Sequence, residues 1–470
     1  HRIPVWYHTV GNGERDEARG VVVSVEQPEP GMVQDEDVLD TWFSSWLWPF
    51  ATLYWPEETG DLRAFYPSTV LVSGYDILFF WIARMMMAGL HFTGEAPFRD
   101  VYITGMIKDK QGRWMSKSLG NGIDPLDMIE QYGADAVRFS LNVLCTPGQD
   151  IKLDPAKFEM GRNFANKIWN AFNVFGRFME DEKDYRRQRS FEELELVERW
   201  ILTRLSETVR AVDEAVGRYR LNEAALAVYD LFWRDYCDWY LELIKPAPGE
   251  EMSEETIALA VEVYERMVQL LHPFMPFITE ELWWRARPRE AGDACIASAW
   301  PEPNDAETDA DAAATFALLQ ELIGGIRGVR SQYNVAPSKP IEAVVNVGGQ
   351  NGLAQEVERY GRYFEKLAGV DRLTVGTGLE KPKASAAVVA GSNEVFVPLA
   401  GMIDLAEERA RLEKEIEGKE RFLVGVEKKL RNEQFVTKAP EAVVQRERQK
   451  AADASAELQR LRANLTDLED

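Results

Sequence analysis

The spacing of apolar residues changes character along the chain, and each change predicts a different kind of element. Ser68–Val72 and Asp100–Thr104 are short β-branched runs followed closely by glycines, Gly74 and Gly105. After the first run, Trp81, Ile82, Met85, Met86 and Leu90 recur at helical spacing. Strand, glycine turn and helix in that order fit a parallel α/β sheet, whose ligands gather at the carboxyl ends of the strands. Asp124-Pro125 predicts a helix start, with Asp as N-cap, Pro in the first helical position and Asp127 in the first turn. From about Pro155 to Arg287 the pattern is almost wholly helical. Phe164, Ile168, Phe172 and Phe175 form one stripe; Leu221, Ala225, Val228, Phe232, Tyr236, Trp239 and Leu243 form another. Antiparallel packing of such faces predicts a helical bundle.

A polar Pro/Asp/Ala stretch, Pro301–Ala314, reads as a linker. Beyond it, strand-like pieces at Glu342–Val347, Arg372–Val375 and Val395–Leu399 surround a helix and predict a small α/β domain. Leu405, Leu412, Ile416, Leu423, Val426 and Leu430 then fall on heptad seam positions. Ala451, Ala454, Leu458, Leu461, Leu465 and Leu468 do the same after a break at Lys438-Ala439-Pro440. Two heptad runs around a proline turn predict an antiparallel coiled-coil hairpin. The chain is therefore expected to be multidomain, α/β plus all-α. Its expected segments are 1–122, 123–157, 158–300, 315–402 and 403–470.

Length agrees with that division, because 470 residues suffice for about three or four domains. The longest apolar run, Ile77–Leu90, is interrupted by Arg84 and is too short to span a bilayer, so no membrane association is expected. The opening residues, His1 to Tyr7, carry neither an initiator Met nor a secretion pattern and read as the interior of a longer chain. Cys145, Cys237 and Cys295 match no metal or redox spacing, and the four histidines are scattered, so no structural zinc is expected. Sparse cysteine fits a reducing cytoplasm. The net charge of −24 excludes a nonspecific nucleic-acid coat. The acid is unevenly spread, however: Asp404–Asp470 carries 16 acidic and 14 basic residues, a net of −2. The tail is thus the best place for contacts to phosphate.

The segment from Gly112 to Asn121, GRWMSKSLGN, carries the most chemistry. It follows a strand and places one lysine, Lys117, between Ser116 and Ser118. An ammonium there could offset triphosphate charge, while hydroxyls and backbone N–H groups bond phosphate oxygens. Closing such a loop on pyrophosphate in the transition state would lower the barrier without covalent chemistry. By composition alone the same residues also describe a solvated Ser/Lys turn.

Met115-Ser116-Lys117-Ser118, continued by Leu119-Gly120-Asn121 and Asp124-Pro125, resembles the KMSKS loop of class I aminoacyl-tRNA synthetases. The likeness extends along the chain through Asp40–Ser45, Leu47–Phe50, Asn163–Asn170 and His272–Phe277. Gly74–Trp81, Thr104-Gly105 and the tail with Asn432–Val436 resemble the valyl branch rather than the isoleucyl one. The resemblance implies the C-terminal half of a Rossmann-like catalytic domain, connecting helices, a helical anticodon-binding domain, a small α/β domain and a coiled-coil tRNA arm. It implies a monomer that uses ATP, with its Mg2+, to activate valine and load tRNA(Val). It places the HIGH motif and the editing domain upstream of His1. Lys117 is then the catalytic electrostatic residue, with Met115, Ser116, Ser118, Gly74 and Asp76 on the ATP or adenylate side. Trp42 and Ile77 shape the amino-acid pocket. In this chain Trp114 stands where the family usually has the first lysine of the loop, removing one phosphate-facing charge. Read as residues alone, Trp42 and Ile77 equally suit core packing, and Asp76 a helix N-cap. An isoleucyl enzyme and a non-catalytic RNA-binding protein remain the alternative functions.

Overall fold

The computed structural model describes all residues except 12–13, 117, 349–351, 403–404, 433–434, 436–439 and 470; for 17, 405, 407, 442, 464 and 467–469 it describes the backbone alone. The chain forms two compact units. One gathers His1–Asn166, Ala211–Ala227 and Pro273–Ile278; the other gathers Lys167–Arg210, Val228–His272 and Thr279–Asp470.

In the first unit, Ser68–Gly74 and Phe98–Thr104 pair in parallel, with Ser68 opposite Phe98 and Gly74 opposite Thr104. Each strand is two residues longer than its β-branched run. Leu71 and Phe98 bury their side chains against Ile82 and Met85 of the following turns. The helical stripe is not one regular helix. A 3-10 turn, Tyr75–Ile77, and a π-helical turn, Leu78–Ile82, precede the α-helix Ala83–Phe92. A three-stranded antiparallel sheet joins Val21–Val23, Val5–Tyr7 and Val33–Gln34. Strands of two and three residues leave no periodic trace, which explains why apolar spacing does not reveal them. Ile107–Lys108 pairs in parallel with Ile151–Lys152. Below that pair, Val137, Ile151, Leu153 and Phe158 form a second apolar cluster. The expected helix start is as the sequence predicts. Asp124 accepts from the Leu126 N–H at 2.8 Å, and the helix runs Pro125–Tyr132.

The core of the second unit is aromatic. Phe172, Phe175, Phe232, Tyr236 and Tyr264 contact one another with centroid separations of 5.3–6.1 Å. The tyrosines tie down their polar ends: Tyr236 Oη donates to the Ala260 carbonyl at 2.9 Å and Tyr264 Oη to that of Ile168 at 3.0 Å. Unbonded hydroxyls at that depth would each cost on the order of 1–3 kcal/mol. The stretch read as a linker is only partly one. Asp309 caps a helix spanning Ala310–Gln332, whose Phe316 stacks on Trp200 at 3.9 Å. Its buried face runs from Ala312 through Phe316, Leu319, Leu322, Ile323 and Ile326, and the alanine composition of its start does not separate helix from linker. Ile341–Asn346, Val370–Gly376, Asn393–Pro398 and Ser385–Ala390 make a four-stranded sheet, the last strand having escaped the sequence reading.

Leu405–Arg431 and Glu441–Glu469 form the expected hairpin of helices. Leu412, Val426, Val444, Ala454, Leu458 and Leu461 are buried along its seam. Arg462 pairs with Glu420, Lys419 with Glu457 and Lys429 with Glu447, so the partners run in opposite directions. The break at Lys438 and Ala439 lies outside the described residues.

Burial pushes the thiols of Cys237 and Cys295 up to about 12. At pH 8 roughly one in ten thousand would be thiolate, the form that alkylates. Iodoacetamide at pH 8 should therefore leave both unmodified in the native chain and modify both in urea, as peptide mass spectrometry would read. Fast native labelling at either position would show that this core is not closed.

Candidate active site

Two adjacent parallel strands lead into glycines, Gly74 and Gly105; backbone crowding requires the second, while the first is crowded by side-chain ends. A Cβ on Gly74 would stand 2.6 Å from Asp76 Oδ1 and 3.1 Å from Met106 Sδ. A Cβ on Gly105 would lie 1.8 Å from the Gln149 carbonyl oxygen. The backbone thus turns sharply at the carboxyl edge of the sheet, where parallel strands present ligand sites. Asp76 is exposed in the first turn after Gly74. It is not the N-cap that its sequence also allowed, because Gly74 occupies that position.

Asp40 caps the helix Thr41–Trp46 by accepting from the Trp42 N–H at 2.8 Å. This helix packs on the π-helical turn: Trp81 Nε1 donates to the Ser45 carbonyl at 3.0 Å, and Trp42 stacks on Phe80 at 5.5 Å. Trp42 and Ile77 are both half-buried rather than core residues, and their segments are brought together. Phe80, the stacking partner, was not foreseen. It sits in an aromatic run that reads equally as core.

The serine-rich loop is rooted on Asp109. This carboxylate is 6% exposed and accepts four hydrogen bonds: the N–H of Gln111 at 3.0 Å, the N–H and Nε of Arg113 at 2.8 Å each, and Asn121 Nδ2 at 2.9 Å. The Asn121 bond, with those from Arg113, outweighs burial and draws the Asp109 carboxyl down to about 2. Asn121 also donates to the Trp114 carbonyl at 3.0 Å and accepts from the Ser116 N–H at 3.0 Å. Met115 turns inward against the Val137 cluster. Ser116 and Ser118 face each other, Oγ to Oγ, at 3.1 Å, and Ser116 Oγ accepts from the Leu119 N–H at 3.3 Å. Lys117 lies outside the described residues.

Asp150 links the loop to the glycine turn. It pairs with Lys108 Nζ at 2.7 Å, accepts from the Met106 N–H at 2.9 Å and from Tyr75 Oη at 3.3 Å. The Lys108 bond lowers the Asp150 carboxyl and raises the Lys108 ammonium. Lys108 Nζ also sits 4.4 Å from the centre of the Trp114 ring. Trp114 therefore holds a lysine against its face, a cation–π contact. Asp109, Asp150, Lys108 and Asn121 carry no periodic or compositional signal. Only folding shows their convergence.

Outside this edge, several basic residues of the helical segments and the arm have acidic partners. Lys167 pairs with Asp238 at 3.0 Å, Arg234 with Asp230 at 3.1 Å and Lys245 with Glu242; Arg162 lies 4.0 Å from Glu159. Trp283 is buried and donates to the Asp293 carbonyl at 2.7 Å, and Trp239 meets Phe316 edge-on, which fits core roles for both. In the arm, Arg409 pairs with Glu413 and Arg431 with Glu427, whereas Lys428 is exposed. Among the described residues no helix is long and apolar enough to cross a membrane.

Comparison with known proteins bears on these elements directly. The family described as "tRNA synthetases class I (I, L, M and V)" matches residues 4–154, the "Anticodon-binding domain of tRNA ligase" matches 198–345, and the "Valyl tRNA synthetase tRNA binding arm" matches 404–469. The chain is 44% identical over its whole length to the valine–tRNA ligase of Bacillus cereus and 42% identical to that of Thermotoga maritima. It spans 53% of each, about half the length of these curated relatives. Among solved structures it resembles the agnB2 LeuRS of Agrobacterium radiobacter K84, determined as a ternary complex with tRNA and LeuAMS. The TM-score is 0.50 at 24% identity, covering 61% of this chain and 36% of that one, and supports the fold. The family matches take in the glycine turn, the serine-rich loop and the helical hairpin, and the chain belongs to the valine–tRNA ligase family of class I aminoacyl-tRNA synthetases.

Proposed function

We propose that this chain carries one side of the adenylation site of a valine–tRNA ligase, together with surfaces that bind tRNA(Val). The observation that carries the reading is the convergence of the Met115–Asn121 loop with the Gly74–Asp76 turn. The two are tied by Tyr75, Asp150 and Lys108 at the carboxyl edge of a parallel strand pair. ATP would lie along that edge. Gly74 admits the close approach of its sugar, and Asp76 accepts from ribose hydroxyls. The hydroxyls of Ser116 and Ser118 and the ammonium of Lys117 meet the phosphates, with Met115 anchoring the loop from below. Mg2+ would arrive with the phosphates; no cluster of three candidate ligands exists among the described residues. Trp42 and Ile77 bound a small apolar pocket for valine.

In the reaction the valine carboxylate attacks the α-phosphorus and pyrophosphate leaves. The growing negative charge on the leaving group is what a lysine and oriented donors on a closing loop stabilise. The segments 1–122 and 123–157 serve this chemistry and the approach of the acceptor end. The bundle at 158–300 serves the anticodon, 315–402 joins body to arm, and 403–470 grips the tRNA backbone. The reading includes a monomer working in the cytoplasm.

The 470-residue chain alone should not catalyse valine-dependent pyrophosphate exchange. Robust exchange by the purified chain would overturn the division of the site. In the chain extended to the length of its relatives, Lys117→Ala should raise the adenylation barrier by about 2–4 kcal/mol, as loss of one preorganised contact does. Unchanged single-turnover kinetics would remove Lys117 from this role.

Ile77→Val removes one methylene from the proposed pocket wall, worth roughly 0.8 kcal/mol. In the extended chain it should shift relative kcat/KM toward isoleucine about fourfold while leaving the KM for ATP unchanged. No shift, with lowered stability instead, would mean that Ile77 only packs.

Removing residues 405–470 should weaken tRNA binding and flatten its dependence on salt. Each lost phosphate contact lowers the logarithmic slope by a little under one, about 0.7–0.9. Equal affinities and equal slopes across a salt series would show that the hairpin does not touch RNA.

A further inference from the structure

We propose that Asp109 and Asn121 are positioning residues that latch the two ends of the serine-rich loop, setting the register in which Trp114–Leu119 is offered to an anionic substrate. The proposal rests on the adenylation reading above. Its basis is geometric. Trp114 and Leu119 stand 49% and 59% exposed, and among the loop's described residues Met115 packs inward against the Val137 cluster. The fixed points lie at its base. Asp109 closes the turn before the loop, where its N–H donates to the Arg113 carbonyl at 3.0 Å and its carbonyl accepts from the Gly112 N–H at 2.8 Å. Asn121 closes the far side, and its amide has each atom committed: Oδ1 to the Ser116 N–H, Nδ2 to the Trp114 carbonyl and to Asp109. One side chain thus joins the start of the loop, its first serine and the buried carboxylate.

The chemistry at 121 follows from the charge at 109. Asp109 has only acceptors to offer, so its partner must donate, and it must also accept from a backbone N–H. Asparagine does both within one short side chain. Aspartate at 121 would keep the bond to Ser116 but would place two carboxylates face to face. Neither latch residue needs to touch substrate. Both act through the backbone of Trp114 and Ser116, which a displacement of about 1 Å would take out of register.

The test has two arms. In the 470-residue chain, Asn121→Ala should speed amide hydrogen exchange across 109–122 by about tenfold or more, with 68–74 and 98–104 unchanged. In the chain extended to its relatives' length, the same substitution should lower the kcat of adenylate formation about tenfold or more, with the KM for valine moving less than about twofold. Asn121→Asp should be at least as damaging. Asp109→Asn, which turns a donor toward either Arg113 Nε and Asn121 Nδ2 or the two backbone N–H groups, should lower kcat likewise. Unchanged exchange at 109–122 or unchanged kcat in Asn121→Ala would each overturn the latch. If the extended chain activates a different amino acid, the valine reading falls, and the same kcat criteria applied with that amino acid decide the latch. If it activates none, the adenylation reading falls, and with it the role assigned to the latch.

Discussion

A carboxylate drawn back from water needs donors around it, and the carboxyl edge of the first unit's parallel strand pair is arranged around two such groups. Asp109 receives four hydrogen bonds and Asp150 an ammonium, a backbone N–H and a phenol. Each is a node where segments distant in sequence meet. Asp109 joins a strand end to Asn121, twelve residues on, and Asp150 joins a late strand to the turn at Tyr75. Charge-assisted bonds of this kind are shorter and more directional than apolar contacts. They fix angles where the sheet edge stays open to water. An apolar core could not hold the loop there without closing the site.

The second unit solves a different problem with different means. Its helices meet through Phe172, Phe175, Phe232, Tyr236 and Tyr264, and its charges pair with one another at the periphery of that core. Arg287, for example, joins Glu265 and Asp184. Paired arginines of this sort are poor candidates for phosphate, since each would have to leave a partner first. The arm differs again. Its ladder of Lys419 with Glu457 and Arg462 with Glu420 fixes an antiparallel register, while residues such as Lys428 remain exposed.

Trp114, which stands where the resemblance expects a lysine, acquires a physical meaning only in the folded chain. Its ring faces Lys108, a cation supplied by the neighbouring strand and oriented by Asp150. A change that reads in sequence as a lost charge is, in space, the gain of a surface on which another charge rests.

By itself the sequence determined those features that rest on local or periodic physics. The Asp124 cap, the two parallel strands with their glycines, the aromatic stripes and the heptad seam are all set by spacing. So are the residue types of the loop, and its motif led to the family. Its limits have physical causes. Two- and three-residue strands have no period, the alanine-rich start at Ala310 composes like a linker, and the turns at Tyr75–Ile82 depart from 3.6 residues because tertiary packing overrides propensity. Only the tertiary structure decided that Asp76 is not a cap, that Trp42 stacks on Phe80, and that Asp109, Asn121, Lys108 and Asp150 converge. The bond that carries Asp150 on to Tyr75 spans 75 positions, and hydrogen bonds and ion pairs at such separation depend on where the backbone has already been placed.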